Sequence, residues 1–231
     1  MAKTEAVEAA TLVMDFNLYP RNRLNESHVR DIAEARASGA VMPAVVAERE
    51  SRRVVDGFHR INDVLRNDGP TGTILVEWRD YPSEAELLAD AISLNSTHGY
   101  RLTAQDHTRI VHLAKGFGLE LERVSTLLHV RAEELEKRGR HIAILTTPGK
   151  RTLRGQEVIP LKRTFRNLEG KSITAEMAAA NSKVIGNPQS FLIGQVIIIL
   201  ESGAVDLEKP LVVERLKKLR ELLAEIKLPG D

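Results

Sequence analysis

The chain has 231 residues, 42% hydrophobic and 28% charged, with 33 Lys and Arg against 32 Asp and Glu. It is too apolar for disorder and has room for one large domain or two small ones. The absence of cysteine excludes disulfides, thiol catalysis and cysteine-ligated zinc, and with 4% aromatics the core must be built from Leu, Ile, Val and Ala.

Met1 to Ala10 carries Glu5 and Glu8 and no apolar run, so it does not read as a signal peptide. Leu12 to Tyr19 predicts a strand that turns at Pro20. Asn25 or Ser27 can cap a helix from about Glu26 to Ala37, which Gly39 ends. Val41 to Ala47 and Arg52 to Val55 predict two strands around a Glu48–Ser51 turn. Asp56-Gly57 leads into a helix from about His59 to Arg66, and Ile74 to Arg79 predicts another strand. Ser83 and Glu86 have capping-box spacing for a helix through about Ser93. Beyond Tyr100 the pattern turns helical. Thr103 caps a helix with Ile110, Val111 and Ala114 inward, broken by Gly116-Phe117-Gly118. Helices from Glu120 to Leu128 and from Arg131 to about Arg138, joined at His129-Val130, have the spacing of a helix-turn-helix. Within the second, Glu133 and Lys137 are spaced for an i,i+4 pair. Residues 146–171 are basic and Gly/Pro-punctuated and read as a linker or arm.

From Thr174 the chain is helical again. Val212, Leu216, Leu219, Leu223 and Ile226 form a short heptad seam, which offers either a homodimer or packing onto the Phe191–Leu200 helix. Phe191 to Leu200, the longest apolar stretch, falls far short of the roughly 20 residues a membrane span needs. No membrane partner is expected, and a cytoplasmic location fits.

Charge is unevenly spread. Residues 1–100 hold 11 Lys and Arg against 16 Asp and Glu, residues 101–171 hold 15 against 8, and residues 172–231 hold 7 against 8. A basic middle is either a nucleic-acid footprint or a solvated basic surface.

The segment Val54-Val55-Asp56-Gly57-Phe58-His59-Arg60 carries the candidate chemistry. Gly57 lets backbone approach a ligand, the following helix start offers unpaired N–H groups to an anion, and Arg60 suits phosphate oxygens. His59 can donate a hydrogen bond or move a proton. A plain structural turn has the same spacing. The other histidines show no metal-ligand spacing and read as surface or interface residues.

Tyr19-Pro20-Arg21, Gly39 to Val46, Gly57 to Arg60, Leu94 to His98 and the helix pair follow one another in an order that, over residues 12–140, resembles the ParB/sulfiredoxin-like family. Gly57-Phe58-His59-Arg60 stands where partition members have GERR, and Leu94 to His98 where they have Glu-Asn-x-x-Arg. The resemblance implies an α+β protein: a nucleotide-binding mixed α/β domain over 1–100, a helix-turn-helix over 101–145, a basic linker over 146–173, and a helical, dimerising region over 174–231. It implies a nucleoside triphosphate, CTP ahead of ATP, with Mg2+. Arg21, Gly57, Phe58, His59 and Arg60 would surround the phosphates. Asn95, Thr97 and His98 would complete the pocket, with Asn95 on the metal. Slow hydrolysis would reset a two-state clamp.

The Asp56-Gly57-Phe58-His59-Arg60 form is also similar to the free-serine kinases of this fold, so Asp56 and His59 are candidate catalytic groups. A nucleotide-independent adaptor is a third reading. With Phe58 at the sulfiredoxin cysteine position, that activity is excluded. No motif for a partner ATPase is recognisable, which points toward a plasmid, phage or transcriptional-regulator role. Double-stranded DNA is the expected partner, met by Arg131, Glu134, Lys137, Arg138 and Arg140 and by the arm residues Lys150, Arg151 and Arg154.

Overall fold

The computed structural model describes residues 4–97, 101–145 and 157–227. His98, Lys150, Arg151 and Arg154 lie outside the described residues. The chain divides into two compact units, Met1–Val184 and Ile185–Asp231.

The first unit begins with β1 (Thr4–Glu8), α1 (Glu26–Ala37), β2 (Val45–Glu48), β3 (Val54–Asp56), α2 (Phe58–Asn67), β4 (Thr73–Arg79) and α3 (Glu84–Thr97). Its strands form one sheet in the order β1-β4-β2-β3, with β2 and β4 parallel and the other pairs antiparallel. Strand alternation sends side chains to both faces. Val45, Ala47 and Val54 join the core beneath α2 with Phe58, Ile61 and Val64, while Val46 and Val55 join the core beneath α3 with Leu87, Leu88 and Ile92.

The second core does not stop at α3. Ile110, Val111, Val124, Leu128 and Leu135 continue it through α4 (Ala104–Phe117), α5 (Leu121–Leu128) and α6 (Ala132–Arg138). The boundary drawn at residue 100 from composition thus falls between helices that share apolar side chains.

Two expectations need correction. The strand assigned to Leu12–Tyr19 is instead Thr4–Glu8, which runs from Thr4 opposite Glu77 to Glu8 opposite Thr73. This edge strand is held by backbone hydrogen bonds and is almost wholly exposed, so it shows no apolar alternation. In the Leu12–Tyr19 stretch only Val13 bridges, to Arg53, and Leu12, Leu18 and Tyr19 are apolar because they are buried.

The basic segment after residue 146 is, over its described part, folded. β6 (Glu157–Pro160), β5 (Ile142–Leu145) and β7 (Ser172–Ile173) form a second sheet, followed by α7 (Ala175–Lys183). Ala143, Ile159, Leu161 and Ile173 make its core. The pairing of Ile142 with Pro160 joins residues far apart in sequence, which local patterning does not reveal.

The second unit has two helices, α8 (Gln189–Glu201) and α9 (Pro210–Glu225), neither containing a buried residue. No helix among the described residues is long and apolar enough to cross a membrane.

Candidate functional site

Asp56 ends β3, and Gly57 turns the chain into α2 with φ +110°, in the left-handed region. A Cβ there would stand 2.2 Å from Val45 Cγ1, so glycine is required by both conformation and space. No side chain caps the first turn of α2, which leaves its leading N–H groups for another acceptor. Phe58 is 2% exposed and stacks on Tyr19 with ring centroids 4.4 Å apart. Its ring belongs to the core, so Phe58 can serve a ligand only through its backbone.

His59 Nε2 accepts from the Asn25 backbone N–H at 3.2 Å and lies 3.5 Å from the Tyr19 hydroxyl. An accepting Nε2 places the ring proton on Nδ1. Burial first, and then the nearby His28, Arg21 and Arg60, together push the His59 pKa down to about 3. The ring is therefore neutral at pH 7. The His28 ring meets it edge-on at 4.8 Å.

Arg60 donates to Asp56 Oδ2 at 2.7 Å and to the Pro43 carbonyl at 2.9 Å. The guanidinium expected to meet phosphate and the carboxylate expected to do catalysis thus hold each other. Arg21 is buried and close enough to His59 to depress its pKa. Asn95 is buried and donates to the Ala91 carbonyl, while Thr97 donates to that of Ser93. Both side chains bond back onto α3, and no hydrogen bond given for the described residues joins them to the Gly57 corner.

This donor set suits an anion: open α2 N–H groups with Arg21 and Arg60 nearby. It does not suit Mg2+. The Asp56 carboxylate is paired with Arg60, and among the described residues no three His, Asp or Glu groups converge as metal ligands.

What sequence reasoning missed is the support of this corner. The stretch from Phe16 to Asn25, which carries Tyr19 and Arg21, is gripped by α4. Arg109, 2% exposed, donates to the carbonyls of Tyr19, at 3.0 Å, and Phe16. Asp106 accepts from the Asn22 N–H at 2.8 Å. Asn22 in turn accepts from the Val158 N–H of β6 at 3.0 Å, and Arg23 pairs with Glu157. One short strap therefore touches α2, α4 and the second sheet. A signal existed: Asp106 and Arg109 share the i, i+3, i+4, i+7 stripe of Ile110 and Leu113, where charge is rare unless it is paired.

The α5–α6 pair turns at His129, in the left-handed region with φ +54°, and Val124 and Leu135 are fully buried between the helices and α4. Gly139 permits close approach, since a Cβ there would lie 2.5 Å from Val111 Cγ1. Arg131 caps α6, and it and Lys137 are exposed. The i,i+4 pairs on this element are Glu134 with Arg138 at 2.5 Å and Glu136 with Arg140 at 2.7 Å, in place of the expected Glu133 with Lys137.

No family model matches the sequence, and no curated protein matches it. The solved structures it is similar to include ParB proteins. C-terminally truncated chromosome-partitioning ParB from Caulobacter crescentus complexed with CTP-gamma-S is 13% identical, with TM-score 0.36, over 59% of this chain and 76% of that one. The same protein complexed to the centromeric parS site is 14% identical, with TM-score 0.40, over 58% and 69%. A Pnob8-like ParB-N domain is 17% identical, with TM-score 0.38, over 61% and 52%. At these scores the likeness carries no functional weight.

Proposed function

We propose that this chain is a ParB-type DNA-binding protein that meets duplex DNA through α4–α6 and responds to a nucleoside triphosphate at the Gly57 corner. The observation that carries the DNA reading is the α5–α6 pair, two short helices joined by a left-handed turn and packed on α4, within the most basic third of the sequence. Arg131 and Lys137 on α6, with Arg123 on α5, are exposed cations. Arg138 and Arg140 sit in solvent-accessible pairs of a kind worth only about 0–1 kcal/mol, which phosphate can displace. Glu134, once released, can accept from a cytosine amino group. Lys150, Arg151 and Arg154 add phosphate contacts in this reading.

The nucleotide reading rests on the uncapped α2 start, the glycine that lets backbone approach, and the adjacent Arg21 and Arg60. A triphosphate oxygen at these N–H groups would draw Arg60 away from Asp56. In this reading Asn95, Thr97 and His98 complete the pocket, which requires Asn95 and Thr97 to give up their bonds to the Ala91 and Ser93 carbonyls. No step is assigned to Mg2+. Nothing in the site favours the kinase alternative, since His59 is neutral and fixed by Asn25 while Asp56 is held by Arg60.

A second copy of the chain is part of this proposal. Between Gln189 and Leu200 α8 has no charged residue, and a helix apolar on all sides must be buried on more faces than α9 alone can cover.

Thermal unfolding in the presence of CTP, ATP and GTP tests the nucleotide reading. CTP should raise the melting temperature of the full chain and not of Arg60→Ala. Equal melting with and without every nucleotide contradicts it.

A further inference from the structure

The first unit contains a cleft of about 900 Å³ between the end of α6 and the second sheet, apart from the Gly57 corner. One wall is α7, which presents Ala175, Ala178 and Ala179. Such small residues leave width that larger side chains would fill. The described lining of the cleft includes Arg23, Lys137, Arg138, Arg140 and Arg166 and one carboxylate, Glu157; Arg23 pairs with Glu157 at 2.5 Å, while Arg138 and Arg140 pair with Glu134 and Glu136. Polar groups deeper in the cleft are satisfied internally. Asn181, for example, accepts from Lys162 N–H and donates to the Pro160 carbonyl. Recognition therefore falls to the cations around the opening.

The lining narrows the ligand. Among the described lining residues there is no Phe, Tyr or Trp to stack a base, which disfavours a single strand or a free nucleotide. Apolar alanines flanked by guanidinium groups fit a chain whose anionic groups alternate with apolar links. The excess of cations at this opening attracts such a polyanion, and phosphate can displace the solvent-accessible carboxylates from Arg138 and Arg140.

We infer that this cleft seats the sugar–phosphate backbone of one strand of duplex DNA, with α7 and the second sheet forming a second wall beside α6. Deoxyribose lies against the α7 alanines. Arg140 and Arg166 contact successive phosphates, and the contact is indifferent to base sequence. This rests on the DNA-binding reading of α4–α6 and adds Arg166 and α7, which that reading does not use.

The test is fluorescence anisotropy of the full chain with labelled duplexes of two unrelated sequences across a salt series. Arg166→Ala should weaken binding equally on both duplexes and make the log–log salt slope shallower by about 0.9, the value of one lost phosphate contact, and Arg166→Lys should restore it. Ala179→Glu, which places a carboxylate at an exposed cleft position, should weaken binding at low salt while leaving the melting temperature unchanged. Wild-type binding with unchanged affinity and slope in both Arg166→Ala and Ala179→Glu overturns the cleft assignment and leaves the α4–α6 reading standing. No wild-type binding overturns both.

Discussion

Arg109 on α4 donates its Nε–H to the carbonyl oxygen of Tyr19, 90 residues earlier, at 3.0 Å. Burial pulls the pKa of Arg109 down to about 10, so it stays charged at neutral pH. One guanidinium thus ties the strap beside His59 to the first helix of the α4–α6 group, and two carbonyls depend on it. Arg109→Ala should destabilise the chain by about 2–4 kcal/mol in urea unfolding, because both carbonyls lose a buried donor. Arg109→Lys should recover only part, since an ammonium lacks the planar fork that spans two acceptors. Stability within about 0.5 kcal/mol of wild type for Arg109→Ala contradicts this role.

Gly57→Ala meets two obstacles, the positive φ and the Val45 side chain at 2.2 Å. The expected loss is about 2–4 kcal/mol by chemical denaturation. Combining it with Val45→Ala should relieve the overlap and not the backbone strain. The double variant should therefore lose less than the sum of the two single changes. Strict additivity would show that the two side chains do not collide.

His59 gives the protein a pH dependence of defined sign. Its folded pKa of about 3 lies below its ordinary 6.5, chiefly through burial, with His28, Arg21 and Arg60 adding to the shift and Glu26 opposing it. Between those values the unfolded chain takes up a proton that the folded chain does not. This contribution is complete above about pH 6.5 and is lost as pH falls, at no more than about 1.4 kcal/mol per pH unit. His107 and His112 are shifted the same way by burial, so the comparison must be with His59→Gln. Denaturation at pH 7 and pH 5 should show a decline roughly 1–2 kcal/mol smaller in the variant. Parallel declines contradict the assignment.

The helices were legible where their ends are chemically marked. Asn25 accepts from Ser27 and His28 N–H groups, and Thr103 forms a capping box with Asp106. The α2 start at Gly57 was equally visible. The edge strand β1 was not, because it is almost wholly exposed and carries no apolar alternation, and neither was the second sheet, whose strands pair across a long connection. At the corner, the residue types were readable but their engagements were less so. Asp56 and Arg60 stand four apart, a spacing that predicts an ion pair as readily as a phosphate grip. Histidine 28 was read as an ordinary surface or interface residue, whereas it packs against the His59 ring.

Self-association should depend on α8, where Phe191, Ile193, Ile197, Ile198 and Ile199 are each about half exposed. Light scattering should give twice the chain mass for wild type, and Ile193→Glu with Ile197→Glu should shift the mass toward a single chain. A wild-type monomer at tens of micromolar would remove the second copy from the account.

If α4–α6 binds duplex DNA electrostatically, the affinity of the full chain for a labelled duplex must depend steeply on salt. Log affinity should fall linearly with log salt, with a slope of several units, and the slope should be shallower in Arg131→Ala with Lys137→Ala. Undetectable binding at about 50 mM salt and micromolar protein, or a slope unchanged by removing both cations, would contradict it.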